Sequence, residues 1–166
     1  PGQCREELGK RLLCLLTPHY CNGFIVGPYP VSGHRLHTSN SGSANLLHAV
    51  EESIKGGVSI VQYRDKHADT AAMITIALEL HRITRKYHIP LLINDRVDVA
   101  VAVGAEGIHL GQDDMHISDA RKILGDHAII GVTCCNMEEA ENAFQHGANY
   151  LGIGTMFPTP TKQGIL

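Results

Sequence analysis

From Leu46 onward the chain repeats one unit: a short apolar strand, a polar exit, then an amphipathic helix closed by glycine. Leu46, Leu47, Val50 and Ile54 lie at helical spacing and run into Gly56-Gly57, a strong stop signal. A strand is predicted over Val58 to Tyr63, then a long helix over about residues 70–87 with Met73, Ala77, Leu80 and Ile76 or Ile83 on one side. Pro90 introduces the strand "LLIN", Val97 to Val103 reads as a short helix stopped by Gly104, and "GIHLG" is the third strand. "ISDARKILG", "AIIGVT", "MEEAENAFQHG" and "NYLGIG" continue as helix, strand, helix and strand, with Gly125 and Gly147 as stops. Alternation of this kind requires a parallel sheet covered by helices. Strands without a polar face are expected to be buried on both sides. A β/α barrel and an open doubly wound sheet both satisfy the pattern. No Gly-x-Gly-x-x-Gly stands at a strand-to-helix turn, so a dinucleotide-binding sheet has little support.

Residues 1–44 lack this regularity. "CNGFIVGPYPVSGHRLHTSNSGSAN" mixes Gly, Pro, Ser and Asn with scattered apolar residues and predicts an irregular segment. "LLCLLT" (Leu12 to Thr17) is the strand candidate there. The expected organisation is an irregular stretch over residues 1–44 and an α/β unit over residues 45–166. An apolar fraction of 43% gives 166 residues enough material for one core. A net charge of −3 without a basic run argues against nucleic acid. Leu12 to Leu16 is too short for a signal-peptide core or a membrane span. Cys4, Cys14, Cys21, Cys134 and Cys135 are odd in number and form no Cys-x-x-Cys pair, as expected for reduced thiols in a cytoplasmic protein.

In either architecture ligands bind beyond the carboxyl ends of the strands, so the strand exits carry the functional reading. The first exit supplies Gln62, Arg64, Asp65 and Lys66, of which the first, second and last share one strand face by alternation. The second supplies Asn94, Asp95, Arg96 and Asp98, the third Gln112, Asp113 and Asp114, and the fourth Thr133. The fifth opens into "GTMFPTPTKQG" with Thr159, Thr161 and Lys162. Carboxylates from neighbouring strands suit Mg²⁺, a hard cation that bridges readily to substrate phosphates. Arg, Lys and hydroxyl or amide donors suit the phosphate oxygens. Singly, each residue has a plainer explanation. Asp95 or Asp114 could cap a helix, Asp98 could stabilise a helix start, and Arg64 and Lys66 could form a solvated rim. Together at one end of a sheet they favour a Mg²⁺-phosphate site. The eleven histidines add no metal motif: His109 is expected as a hydrogen-bonded core residue, with His81 and His88 facing solvent.

The motifs "GGVSIVQYRDK", "PLLINDRVDVAVAVGAEGIHLGQDDM", "IIGVT" and "ANYLGIGTMFPTPTK" closely resemble thiamine phosphate synthase, also called thiamine phosphate pyrophosphorylase, and most of all its fungal form. The resemblance spans about residues 46–162 and implies a (β/α)₈ TIM barrel, incomplete in this chain. It implies a Mg²⁺-dependent transferase that joins an aminopyrimidine diphosphate to a thiazole phosphate and releases pyrophosphate. By motif, Gln62, Arg64 and Lys66 hold the pyrimidine diphosphate, Asn94 and Thr133 lie near the pyrimidine, and Asp95 and Asp114 are the Mg²⁺ ligands. Thr159 and Thr161 match contacts to the thiazole phosphate and Lys162 a contact to the diphosphate, with Arg64, Lys66 and Lys162 as the catalytic cations. The fungal form is often fused to a hydroxyethylthiazole kinase, and a homo-oligomer is compatible with the family.

Two departures accompany the resemblance. The family's first strand, with its Asp, has no clear counterpart in residues 1–44, and after Lys162 the sequence reads "QGIL". This is the pattern of a chain truncated after the sixth barrel strand, since a complete barrel takes roughly 250 residues. A thiazole tautomerase-like paralogue and a non-catalytic remnant that binds a phosphorylated ligand or a partner chain are the competing readings.

Overall fold

The computed structural model describes residues 12–13, 23–27, 34–37 and 43–153, with side chains from residue 46. Helix α1 (Ser43–Lys55) buries Leu46, Val50 and Ile54 at a four-residue spacing, which keeps one stripe on the sheet. It leads into the strand Ile60–Arg64, which starts two residues later than the predicted Val58, and then into α2 (Thr70–Lys86). Asp69 caps α2 by accepting from the Ala72 N–H at 2.8 Å. The strand Leu91–Asn94, α3 (Val97–Val103), the strand Gly107–Leu110, α4 (Ile117–Leu124), the strand Ile129–Cys134, α5 (Met137–Gln145) and the strand Tyr150–Ile153 follow. Ala120, Ala140 and Ala143 are the small buried residues that let α4 and α5 lie close to the sheet.

Three short strands lie within residues 1–44: β1 (Leu12–Leu13) falls in the strand candidate Leu12 to Thr17, while β2 (Gly23–Gly27) and β3 (His34–His37) fall in the part expected to be irregular. The module strands are therefore β4 to β8, and the sheet order is β1-β8-β7-β6-β5-β4-β2-β3. β4 to β8 are mutually parallel, β1 adds parallel to β8, and β2 pairs antiparallel with both β4 and β3. The outer edges of β4 and β8 would otherwise present unpaired backbone donors and acceptors, and any extended segment can satisfy them whatever its side chains. That is why a period search misses such strands.

Alternation divides each module strand between two environments. Val61, Tyr63, Leu91, Ile93, Ile108, Leu110, Ile130, Val132 and Leu151 pack against the helices. The opposite face carries Ile60 and Gln62, Leu92 and Asn94, Gly107 and His109, Ile129, Gly131 and Thr133, then Tyr150 and Gly152. Contrary to the expectation of strands without a polar face, this side holds buried Gln62, Asn94 and His109. It is also concave. Leu92 on β5 and Tyr150 on β8 belong to one cluster, joined by Ile60 and Ile129, although β5 and β8 are three places apart in the sheet. A flat sheet would hold them about 14 Å apart at the usual strand spacing, so the five parallel strands curl into part of a barrel wall.

The amino-terminal ends of the strands are tied by side chains that bond backbone. Glu106 accepts from the Leu91 N–H at 2.9 Å and meets His81 Nε2 at 3.0 Å. His81 is thus buried rather than solvent-facing, because it extends the Met73-Ala77-Leu80-Thr84 stripe of α2. His88 is exposed in the turn beyond α2. Asn149 plays the role of Glu106 one module pair later, accepting from the Ile130 N–H at 2.9 Å. Arg121 of α4 donates to the carbonyls of Gly125, Asp126, Ala128 and Gly147 and to Asn149 Oδ1, which knits α4, β7 and β8 together. Replacing Arg121 by Ala should lower unfolding stability by about 1–2 kcal/mol, since five oxygen acceptors lose a charged donor, although all but the half-buried Ala128 carbonyl can turn to water. Arg121→Lys should recover little of this, because one ammonium cannot reproduce the forked geometry. Urea unfolding of the three proteins measures both effects; equal midpoints for Arg and Ala would contradict the assignment.

Candidate active site

The carboxyl ends of β4 to β7 open onto one rim. Within it the concave face supplies an amide pair: buried Gln62 donates through Nε2 to Asn94 Oδ1 at 2.7 Å. Arg64 ends β4 half-buried, and Lys66 stands exposed just beyond the strand. Asp65 does not face a ligand with its carboxylate. Its Oδ1 accepts from the N–H groups of His67 and Ala68 at 2.9 and 3.0 Å, and so shapes the turn that carries Lys66. Gln112 likewise braces the rim, donating to the Thr133 carbonyl at 2.6 Å.

The acidic exits separate into two kinds. Arg96 and Asp98 pair with each other at 2.6–2.9 Å, and Arg96 also donates to Thr70 Oγ1 at 2.7 Å, which anchors α3 to the start of α2. Asp95 and Asp114 instead face one another. Neither caps a helix: Arg96 is the N-cap position of α3, and α4 is capped by His116. Asp95 adopts φ +64, with its N–H donating to the His109 carbonyl at 2.8 Å. Asp114 is fixed by accepting from the Gly111 N–H at 2.6 Å. The Asp95 carboxyl is pushed up to about 6, first by burial, then by a hydrogen bond to Asp114 and by its negative charge. The charges of Lys66 and Arg64 pull the other way, so both cations lie within electrostatic reach of the pair. Two neighbouring carboxylates with two cations in reach form a place where charges of either sign are poised to bind.

Behind this rim His109 links two strands. Its Nδ1 lies 2.8 Å from the Tyr150 hydroxyl and its Nε2 2.7 Å from Thr133 Oγ1. Burial pushes its basicity down to about 4, so the ring is neutral at physiological pH. This matches the hydrogen-bonded core histidine read from the sequence. Cys134 is buried, with burial lifting its thiol to about 11, whereas Cys135 is exposed; both are free thiols. Thr159, Thr161 and Lys162 lie outside the described residues. Among the described residues, no three His, Cys, Asp or Glu side chains group as a metal site, and no helix is long and apolar enough to cross a membrane.

A family profile described as thiamine monophosphate synthase matches residues 29–165. The chain belongs to the thiamine monophosphate synthase family. Curated relatives agree. A thiamine-phosphate synthase from Clostridium novyi is 50% identical over 121 residues, covering 73% of this chain and 59% of the relative. One from Methanobrevibacter smithii is 46% identical, covering 75% and 60%. A probable thiamine biosynthetic bifunctional enzyme from Schizosaccharomyces pombe is 56% identical over 113 residues, covering 68% of this chain and 22% of the relative. The solved thiamine phosphate pyrophosphorylase from Pyrococcus furiosus superposes with a TM-score of 0.63 at 42% identity, over 69% of this chain and 56% of that one. The match thus spans about 60% of the length of the two synthases. A 2,3-dimethylmalate lyase, 14% identical with a TM-score of 0.55, shares the fold alone.

Of the family motifs, Gln62, Arg64, Lys66, Asn94, Asp95, Asp114 and Thr133 all sit at the described rim. Asp65 and Gln112, named from the sequence as strand-exit residues, prove to be supports of the rim, and the residue that sequence reasoning passed over is Tyr150. Tyr150 could have been found by extending the alternation that exposed Gln62 and Arg64 to the last strand. Because the Asp95 carboxyl titrates near 6 when folded against 3.8 as an ordinary value, the folded state keeps a proton that the unfolded chain releases between those limits. Metal-free stability should therefore fall as pH rises from about 4 to about 6. Asp95→Asn should flatten that part of the curve and raise the melting temperature at pH 7. A wild-type curve that is flat or rising in this window, and identical in the variant, would contradict the pairing.

Proposed function

We propose that this chain provides the pyrimidine-diphosphate side of a thiamine phosphate synthase site, which condenses 4-amino-2-methyl-5-pyrimidinylmethyl diphosphate with 4-methyl-5-(2-phosphoethyl)thiazole to give thiamine phosphate and pyrophosphate. The observation that carries it is the Asp95–Asp114 pair facing Arg64 and Lys66 at the mouth of a curled parallel sheet. The curl supports reading β4 to β8 as consecutive strands of a (β/α)₈ barrel. A thiazole tautomerase would have no diphosphate to neutralise, so the acidic pair beside two cations favours the synthase.

The donor set fits Mg²⁺: two carboxylates at one spot, one of them raised first by burial and then by the other, are the oxygen ligands this hard cation prefers. When bound, that ion supplies electrostatic neutralisation of the diphosphate. Arg64 and Lys66 hold the diphosphate oxygens and stabilise the negative charge that grows as the carbon–oxygen bond breaks. Lys162 serves the same leaving group, and Thr159 and Thr161 hold the thiazole phosphate. Gln62 and Asn94, locked to each other, present fixed amide groups to the pyrimidine. The aminopyrimidine delocalises the cation left on its methylene, which the thiazole nitrogen then attacks; no protein nucleophile is required. The substrates must be aligned for that attack, which is where a rigid rim contributes. A fused hydroxyethylthiazole kinase belongs to the same proposal, in line with the small share of the bifunctional relative that this chain covers.

Pyrophosphate release from the two substrates tests the reading. Lys66→Ala and Asp114→Asn should each reduce kcat/KM by about 100-fold or more, as expected for groups that act on transition-state charge. The pyrimidine diphosphate with Mg²⁺ should also raise the melting temperature, since a ligand bound only by the folded state stabilises it. Product formation unchanged by either substitution, or no thermal shift at saturating ligand, would overturn the proposal.

A further inference from the structure

His109 is buried with both ring nitrogens engaged, yet no step of the proposed transfer uses it. Its connections cross three strands. Tyr150 on β8 leans over Gly131 on β7, where a Cβ would lie 2.0 Å from the phenol ring, and so reaches His109 on β6. Any side chain at Gly131 would block that crossing. From the other nitrogen, the line continues to the Thr133 hydroxyl at the carboxyl end of β7.

The direction of donation along this line follows from counting hydrogens. A neutral imidazole has one N–H and one lone pair. In one arrangement Tyr150 donates to Nδ1, Nε2–H donates to Thr133 Oγ1, and the threonine O–H is left to point into the site. In the other, Thr133 donates to Nε2, Nδ1–H donates to the phenol oxygen, and the phenol O–H is left over. Tyr150 has no other hydrogen bond among the described residues, and its ring packs with Leu92, Ile60 and Ile129. The second arrangement would strand a donor in that apolar layer, whereas the first leaves its spare donor at a half-buried rim.

We propose that Tyr150 and His109 are positioning residues that fix the Thr133 hydroxyl as a hydrogen-bond donor toward the substrate, so that the site selects an acceptor atom there, such as a pyrimidine ring nitrogen, over a donor such as an exocyclic amine. The inference rests on the reading of Thr133 as a substrate contact, but its first link can be measured without substrate. Nitrogen-15 spectra of the histidine side chains of the full chain should show His109 protonated at Nε2 with a bare Nδ1. Protonation at Nδ1 in the ligand-free protein would overturn the proposal without any variant having to fold.

The second link is a double-mutant cycle on binding of the aminopyrimidine diphosphate with Mg²⁺. Tyr150→Phe keeps the ring over Gly131 but removes its donor. It should weaken binding about three- to tenfold, the value of one directed hydrogen bond, in the Thr133 protein. In a Thr133→Val background the same change should have no further effect. Equal losses in both backgrounds would show that Tyr150 acts on packing alone and would also overturn it. If the parent chain fails to bind this ligand at all, the synthase reading falls, and the His109 tautomer alone decides whether Tyr150 sets the direction.

Discussion

Because successive side chains on a strand point to opposite faces, the register among five parallel strands decides together which residues meet the helices and which line the concave side. The strand pairings place Asn94 beside His109, His109 beside Gly131, and Gly131 beside Tyr150. One row thus holds an amide, an imidazole, an empty position and a phenol. A slip of one residue in any pairing would send Leu91 or Ile108 inward and Asn94 or His109 into the helix layer, where no polar partner waits. The polar row is tolerated only because its members find partners on the same face, Asn94 in Gln62 and His109 in Tyr150 and Thr133, and in doing so it specifies the register that the apolar layer alone would fix less sharply.

The two ends of the sheet use the same residue types for opposite purposes. At the amino-terminal end, Glu106 and Asn149 accept backbone N–H groups, and Arg121 covers five oxygen acceptors. Polar groups there are consumed by the fold. At the carboxyl end, the Asp95 and Asp114 carboxylates oppose each other, and the shift of Asp95 records the cost of keeping them together. Local loops make that possible: Asp65 braces the turn before Lys66, and Gln112 braces the loop before Asp114 against β7. Stability is concentrated at one rim and unsatisfied charge at the other, the division seen in β/α barrels.

The modules were legible because their signals are local. Glycine stops, helical stripes such as Met73-Ala77-Leu80, and apolar strands each need only a window of ten or so residues. The rim was legible for the same reason, since every strand exit announces itself as a polar break. What escaped depends on pairing across strands. Nothing around His81 reveals Glu106, which stands two elements later in the chain. Nothing around Gly131 reveals the Tyr150 ring that needs its missing side chain. β2 and β3 escaped because backbone pairing to an edge leaves no necessary side-chain period. The polar inner face escaped in a different way: each strand holds only one or two inward polar groups, too few to set an alternation against its apolar neighbours.

Asp95 concentrates two unfavourable features in one residue. Its backbone occupies the left-handed region, which a side chain disfavours by about 1–2 kcal/mol, although aspartate tolerates it better than most. Its carboxyl is held half-buried against another carboxylate. The first could be relieved by glycine and the second by a neutral side chain. The left-handed turn directs the backbone N–H at this position onto the His109 carbonyl, and aspartate adds what glycine would not, a carboxylate facing Asp114. The turn therefore couples the acidic pair to the same strand position whose imidazole meets Thr133. Strain and like charge kept at one point, and anchored to the row that fixes the sheet register, are intelligible if that point binds charge and are otherwise uncompensated.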